Sequence, residues 1–383
     1  MQDHAIKGES LNGFERIKVM FELTNEQRRC FAISLVLDSY KKVEAPSLRR
    51  ANYRTYAYLD GQRVVKVVQV SEMPENEWYY EFDLDESLSE DNTQILPKTA
   101  KGKSRIFSVS VLEKSKHIGM SIYFRKDTVR IDNNNTDQCY YNSSYNPITL
   151  DGLSDFSKWV EEWCKSTGEK ELRDVDEFSK RKRTRQKFAE GDFFRYRLDR
   201  GLYGYGRILV DYDKMRRDGI PFWSIFMGKP LCVAIYHVAT EDSGLSPQQL
   251  AGLKMLPSQI IMDDIFYYGE CEIIGNMPIA DDEDNYTIHY GRAINFRERD
   301  SVFYQCGKCF RCLEDAEMLY KGFTKNSIGR HLVVELPILR ECIKANSNEP
   351  YWSMIKPWRA DEDLRNPKFK EELRRIEEQM GVR

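Results

Sequence analysis

Cys306-Gly-Lys-Cys309-Phe-Arg-Cys312 sets three thiols at two-residue intervals, the clearest metal-ligand spacing in the chain. Thiolates so spaced hold zinc when a fourth cysteine or histidine completes a tetrahedron. They hold part of an iron–sulfur cluster when a fourth cysteine follows shortly, before a proline. Neither completion is near: the next candidates are His331 and Cys342, and Cys312 is followed by Leu-Glu-Asp-Ala. The expectation is thiols at a strand end running into a helix, with no metal and no cofactor. Carboxylates gather at Asp263-Asp264 and at Asp281-Asp282-Glu283-Asp284. Lacking the glycine-containing alternation of a calcium loop, they read as plain solvated loops or as contacts for a basic partner. The five histidines (His4, His117, His237, His289, His331) show no close pairing, and His237 lies in an apolar run that suits a core histidine. No Gly-x-Ser-x-Gly elbow or phosphate-binding Gly-Lys-Ser/Thr loop is present, and Gly201-x-x-Gly204-x-Gly206 has its glycines in the wrong order for a dinucleotide site. No residue is assigned a catalytic role, and the chain reads as a binding protein rather than an enzyme.

Composition narrows the partner. At 383 residues the chain exceeds one usual hydrophobic core, so two domains are expected. Apolar residues at 41% and charged residues at 31% describe a folded chain with a solvated surface. No apolar run approaches the roughly 18 to 20 residues of a membrane span. Met1-Gln2-Asp3-His4 starts no basic-then-apolar leader. Nine cysteines, odd in number and irregularly spaced, suit a reducing compartment. The expectation is a cytoplasmic protein with no membrane partner. The net charge of −3 hides an imbalance: Ile208 to Tyr290 carries five Lys/Arg against thirteen Asp/Glu, a net of −8, while Gly291 to Ala345 carries ten against seven. Such an acidic block repels phosphate and attracts basic partners, so nucleic acid is disfavoured.

The elements that must position these groups are mostly strands. Thr24 with Gln27 forms a capping box that opens a helix through Phe31 and Leu35 to about Tyr40. Strands are predicted at Tyr53 to Leu59 and Gln62 to Val70 around an Asp60-Gly61 turn, then at Trp78 to Phe82, Ile106 to Leu112 and Met120 to Ile131. A helix from Ser154 carries Phe156, Trp159, Val160, Trp163 and Cys164 on one stripe. The run Lys180 to Lys187, after the mixed-charge stretch Glu169 to Glu177, reads as a solvated linker. Beyond it, strands are predicted at Phe193 to Leu198, Tyr203 to Val210, Phe222 to Met227, Leu231 to Ala239, Ile265 to Ile274, Tyr286 to Tyr290 and Val302 to Gln305. Ser246-Pro247 opens a short helix through Met255. Asn366-Pro367 opens a terminal helix with Phe369, Leu373, Ile376 and Met380 on one face and a Glu371–Arg375 pair on its surface. That face either docks on the body or serves a partner. The aromatics Phe222, Trp223, Phe266, Tyr267 and Tyr268, with Arg292, Arg297 and Arg299, suit a core or a protein contact better than base stacking.

One stretch has a familiar form. From Lys187 the chain reads Lys-Phe-Ala-Glu-Gly-Asp-Phe-Phe-Arg-Tyr-Arg-Leu, then Gly201-Leu-Tyr-Gly-Tyr-Gly-Arg-Ile-Leu209. This resembles the immunity protein 26 family, in which a Gly-Asp-Phe strand precedes a Tyr-Gly-x-Gly-Arg strand. Val233 to Tyr236, Tyr268-Gly269 and Tyr304-Gln305-x-Gly307 fall where the family's later strands are expected, with Cys306 standing where a large residue would be. The resemblance spans about Phe188 to Tyr320. It implies a bacterial protein that binds and neutralises a polymorphic toxin, with no catalysis. Many such toxins are basic nucleases, which would place Asp263, Asp264, Asp281, Asp282, Glu283 and Asp284 in the toxin contact. A nucleic-acid-binding or regulatory module is the alternative. The expected fold is α+β and mainly β, in two domains, each a curved antiparallel sheet or small barrel with peripheral helices. The expected divisions are residues 11–175, a basic linker at 176–187, the family-like domain at 188–345 and a helical tail at 346–383.

Overall fold

A computed structural model describes residues 21–47, 52–220, 228–292, 301–320 and 331–382. Alternating β-branched and aromatic residues in the first half build one antiparallel sheet. Its strands are β1 (Lys41–Glu44), β2 (Arg54–Asp60), β3 (Arg63–Ser71), β4 (Trp78–Leu88), β7 (Ile118–Arg125), β8 (Thr128–Asn133) and β9 (Gln138–Asn142), paired in that order. Two short strands, β5 (Gln94–Leu96) and β6 (Arg105–Ile106), extend from the far end of β4. Because strand side chains alternate faces, Val68, Val70, Tyr79, Ile122 and Phe124 point to one side. There Phe156, Val160 and Trp163 of α3 (Leu153–Lys165) and Val175 and Phe178 of α4 (Glu169–Ser179) cover them. On the other side Val67, Phe82 and Leu84 pack under Phe107 and a single helical turn, α2 (Val109–Leu112).

The second half holds an open five-stranded antiparallel sheet in the order β13-β12-β11-β10-β14, comprising Gln259–Met262, Pro230–Thr240, Leu202–Asp211, Asp192–Asp199 and Glu272–Asn276. Leu231, Val233 and Ile235 face a helix at Leu336–Ala345, while Cys232 and Ala234 face Tyr212, Met215 and Phe303. Phe303 belongs to a three-stranded sheet of β15 (Ile288–Arg292), β16 (Val302–Cys306) and β17 (Cys309–Leu313). Its opposite face, with Tyr290, Val302 and Tyr304, takes Ile376 and Met380 of the terminal helix Lys370–Met380.

The mainly β, α+β class stands, but no ladder closes into a barrel among the described residues. Several segments differ from expectation for identifiable reasons. The first helix keeps its Thr24–Gln27 capping box yet spans only Asn25–Cys30, because Ala32 takes φ +52° and the Asn25 side chain binds both backbone groups of Val36. Ile106 to Leu112 divides into β6 and α2, and Met120 to Ile131 is a hairpin of two strands turning at residues 126–127. Ile265 to Ile274 divides into a helical turn at Asp264–Tyr267 and β14. The Ser246 cap opens a helix that stops at Leu250, since Met255 pairs with Tyr236 instead. Arg374 pairs with Glu371 and Glu378, while Arg375 donates to the Tyr320 hydroxyl, and the apolar face of that helix is docked. The strand expected at Phe222 to Met227, with Trp223, and the arginines Arg297 and Arg299 lie outside the described residues.

The basic run is in contact with the body. Lys180 pairs with Asp176, Arg181 with Glu272 and Arg183 with Asp137, while Arg183 and Arg185 lie over the Tyr267 ring. The two halves also bond directly. Gln138 donates to the carbonyls of Tyr268 and Gly269 at 2.9 and 2.8 Å, Arg197 and Tyr140 share Asp174, and the Leu336 N–H donates to the Tyr145 carbonyl at 2.6 Å.

Candidate partner-binding surface

Glycines set the local shape around β10 and β11. In this hairpin Phe194 stands opposite Gly206 and Tyr196 opposite Gly204. A Cβ on Gly206 would lie 2.3 Å from the Phe194 ring, and one on Gly204 would lie 2.4 Å from the Tyr196 ring. The glycines are the floor on which two aromatic rings lie, which is why aromatics and glycines face each other across these strands.

The remaining polar residues of the two motifs converge on one short segment. Gly191 sits at φ +85° with the Met277 carbonyl only 2.3 Å from where a Cβ would be, and its N–H donates to the Ile208 carbonyl. Asp192 accepts from the Ala189 N–H at 2.6 Å and from the Asn276 side chain at 2.7 Å. Arg207 donates to the carbonyls of both Met277 and Pro278 at 2.7 Å, with its guanidinium over the Phe193 ring. Gly191, Asp192 and Arg207 therefore hold residues 276–278, where the chain leaves β14.

That exit leads straight into the acidic loop. Ile279 and Tyr286 anchor its two ends in the core. Asn285 pins it further, donating to the Leu256 carbonyl at 2.9 Å and accepting from the Ser258 N–H at 3.0 Å. Glu283 is half-buried and closes the turn by accepting from the Asn285 N–H. Asp281, Asp282 and Asp284 are exposed and have no ion pair among the described residues. A pinned loop carrying three uncompensated carboxylates is a preorganised negative surface, which costs little ordering entropy when a cation-bearing partner docks.

Asp263 and Asp264 are not part of this surface. The acidic loop is pinned beside Ser258, before β13 begins, whereas Asp263 follows the end of that strand. At about 3.3 Å per residue the strand puts about 16 Å between them. Asp263 is half-buried and accepts from the Lys229 N–H at 3.0 Å. Nearby, Asp211 is pushed above the usual carboxylate range by burial and by Asp213 and Glu190, a grouping that sequence spacing does not reveal because Glu190 lies on another strand's approach. The −8 block is also partly answered from outside it: Glu241 pairs with Lys170, and Glu272 with Arg181 and Arg195.

The three closely spaced thiols do not converge. Cys306 and Cys309 are cross-strand partners flanking a two-residue turn with Gly307 at φ +54°, so they share the face toward the terminal helix. Cys312 is three residues further along β17, opposite Phe303, and so projects from the other face. The segment is a hairpin, not a strand running into a helix. Among the described residues no group of three or more His, Cys, Asp or Glu side chains is arranged to hold a metal ion, and none of the nine cysteines is in a disulfide.

The segment that carries both motifs, their convergence point and the acidic loop can be compared with known families. Residues 189–300 match the family model of immunity protein 26. The match takes in the whole five-stranded sheet, the acidic loop and β15, and it ends before the Cys306–Cys312 hairpin. No curated protein and no solved structure matches the chain. The immunity protein 26 segment covers less than a third of the 383 residues, and the nine-stranded sheet lies outside it. No helix among the described residues is long and apolar enough to cross a membrane.

Proposed function

We propose that the chain is an immunity protein: it binds a cognate toxin and blocks it stoichiometrically, without catalysis. The observation that carries this reading is the match of residues 189–300 to immunity protein 26, over the segment whose Gly-Asp-Phe and Gly-x-Gly-Arg residues hold the acidic loop. Asp281, Asp282 and Asp284 form the contact, with Glu283 shaping the loop, and Asp263 and Asp264 lie outside it. A surface of this sign fits a basic toxin, and a nuclease whose substrate groove is built for phosphate is the class it matches best. The nucleic-acid reading has less support, because Lys180, Arg181 and Arg183 spend their charge on Asp176, Glu272 and Asp137.

The test is co-expression with the toxin candidate encoded beside the gene. Survival together with co-purification of the two proteins is the expected result. Neutralising Asp281, Asp282 and Asp284 to Asn should weaken the complex and lower its salt sensitivity. Survival with an unaltered complex would move the interface off this loop, and no protection against any neighbouring toxin would end the immunity reading.

A further inference from the structure

A wide concavity lies on the nine-stranded sheet, away from the acidic loop. It has a volume of about 940 Å³ and opens beside α2, on the face away from α3 and α4. The short α2 covers Val67, Phe82 and Leu84 but leaves the neighbouring part of that face open. Trp78 and Tyr80, two residues apart on β4, point into it, Tyr123 stands opposite Tyr80 on β7, and Tyr53 closes the wall against Trp78 with ring centroids 4.9 Å apart. The Trp78, Tyr80 and Tyr123 rings sit on central strands whose backbone bonds are already made, so their spacing is set by the sheet register, and Tyr53 reaches them from the residue before β2.

The polar groups of the groove are held as firmly. Glu113 accepts from the Tyr53 hydroxyl at 2.8 Å and from the Gln69 amide at 2.9 Å, Gln69 also donates to Thr55, and Arg125 donates to the Asn76 side chain at 3.1 Å. The Tyr80 hydroxyl is engaged with His117. Two of the tyrosine hydroxyls are thus turned into the wall, and what the groove presents is ring surface together with planar amide, carboxylate and guanidinium groups.

We propose that this groove binds a neutral oligosaccharide. A pyranose offers both things the groove can use: a face of C–H bonds, which packs on the electron-rich face of an aromatic ring, and vicinal hydroxyls that donate and accept together. Asn76, Glu113 and Arg125 supply both acceptors and donors for such hydroxyls, oriented by the Arg125–Asn76 bond and by the bonds that Gln69 and Tyr53 make to Glu113. Among the described lining residues Lys114 and Arg125 stand against the one carboxylate of Glu113, a net of one positive charge, which is short of the cation cluster that a polyanion track uses. A β-strand peptide is disfavoured because strand addition needs an open sheet edge, and this site lies on the face of β3, β4 and β7. A proline-rich peptide would meet the aromatic walls but offers carbonyl acceptors alone to a groove that also presents a carboxylate. The volume lies at the upper end of the usual range for small-ligand sites, room for several sugar rings.

The test is calorimetric titration of the full chain with cellotetraose, maltotetraose, chitotetraose and a proline decamer. At least one saccharide should bind, and Trp78→Ala and Arg125→Ala should each weaken it by about tenfold or more. Arg125 is exposed, so its variant should keep the parent melting temperature, which separates loss of binding from loss of fold. Three results would overturn the proposal: no saccharide binds the full chain, saccharide binds both variants as tightly as the parent, or the proline decamer binds and no saccharide does. The groove and the acidic loop are tested by different ligands, so either proposal can fail alone.

Discussion

A half-buried glutamate and a fully buried one should bend the stability profile in opposite directions. Glu270 lies where the two halves meet. Burial, with Asp132 and Asp264 nearby, pushes its carboxyl up to about 7 against the opposing pull of Arg130. The folded state therefore holds a proton that the unfolded chain releases near 4.5, so this contribution is full below that pH and is lost as pH rises through about 7. Glu270→Gln should flatten the decline and raise stability at about pH 8 by about 1–3 kcal/mol, read from urea midpoints at about pH 5 and about pH 8. Glu81 has the reverse sign. Burial pushes its carboxyl up, but Lys66 and Arg28 outweigh burial and hold it below the usual range, so its contribution is lost as pH falls. None of this charged cluster is legible in the sequence, because Arg28, Lys66 and Glu81 become neighbours only through sheet register and the seating of the first helix. The Gly-Asp-Phe and Gly-x-Gly-Arg motifs were legible as patterns, but their task, holding residues 276–278, required the fold. Arg207→Ala should lower stability by about 2–3 kcal/mol, the range for a charged hydrogen bond, and should weaken toxin binding beyond what the stability loss explains. Comparing denaturation midpoints with affinities separates the two effects.

Elements were legible where periodicity ran long and failed where chain geometry intervened. The α3 stripe of Phe156, Val160 and Trp163 was visible because five apolar residues share one helical face. The hairpin turn at residues 126–127 was hidden because Arg125-Lys126-Asp127-Thr128 carries none of the glycine, asparagine or proline that marks a turn, and the helix Leu336–Ala345 was not anticipated at all, although Leu336, Ile338, Leu339 and Cys342 bury one face of it. For the terminal helix the sequence offered two destinations, and the structure puts it against Tyr290 and Tyr304. Ile376 is fully buried there, so Ile376→Ala should cost about 2–5 kcal/mol. A urea denaturation curve checks this. A loss under about 0.5 kcal/mol would mean the helix is not docked in solution.

Across the whole molecule, the contacts between the halves are specific: Gln138 with the Tyr268 and Gly269 carbonyls, Asp174 with Arg197, and Tyr145 with Leu336. A chain begun at residue 188 keeps its own core but exposes Tyr196, Leu332 and Arg197 where the first half packs. We expect that fragment to melt below the full chain, by several degrees if these contacts act as ordinary buried hydrogen bonds. An unchanged melting temperature would make the halves independent. The fragment retains the acidic loop and its supports, so it should still bind toxin if the first half serves another ligand.

Blocking by stoichiometric binding is tested most directly by titrating the purified protein into a fixed amount of the neighbouring toxin and following the toxin's activity. Activity should fall linearly and end at one molecule of protein per molecule of toxin, and active toxin should be recovered when the complex is dissociated at high salt. Continued inactivation by substoichiometric protein, or toxin permanently altered after release, would contradict it.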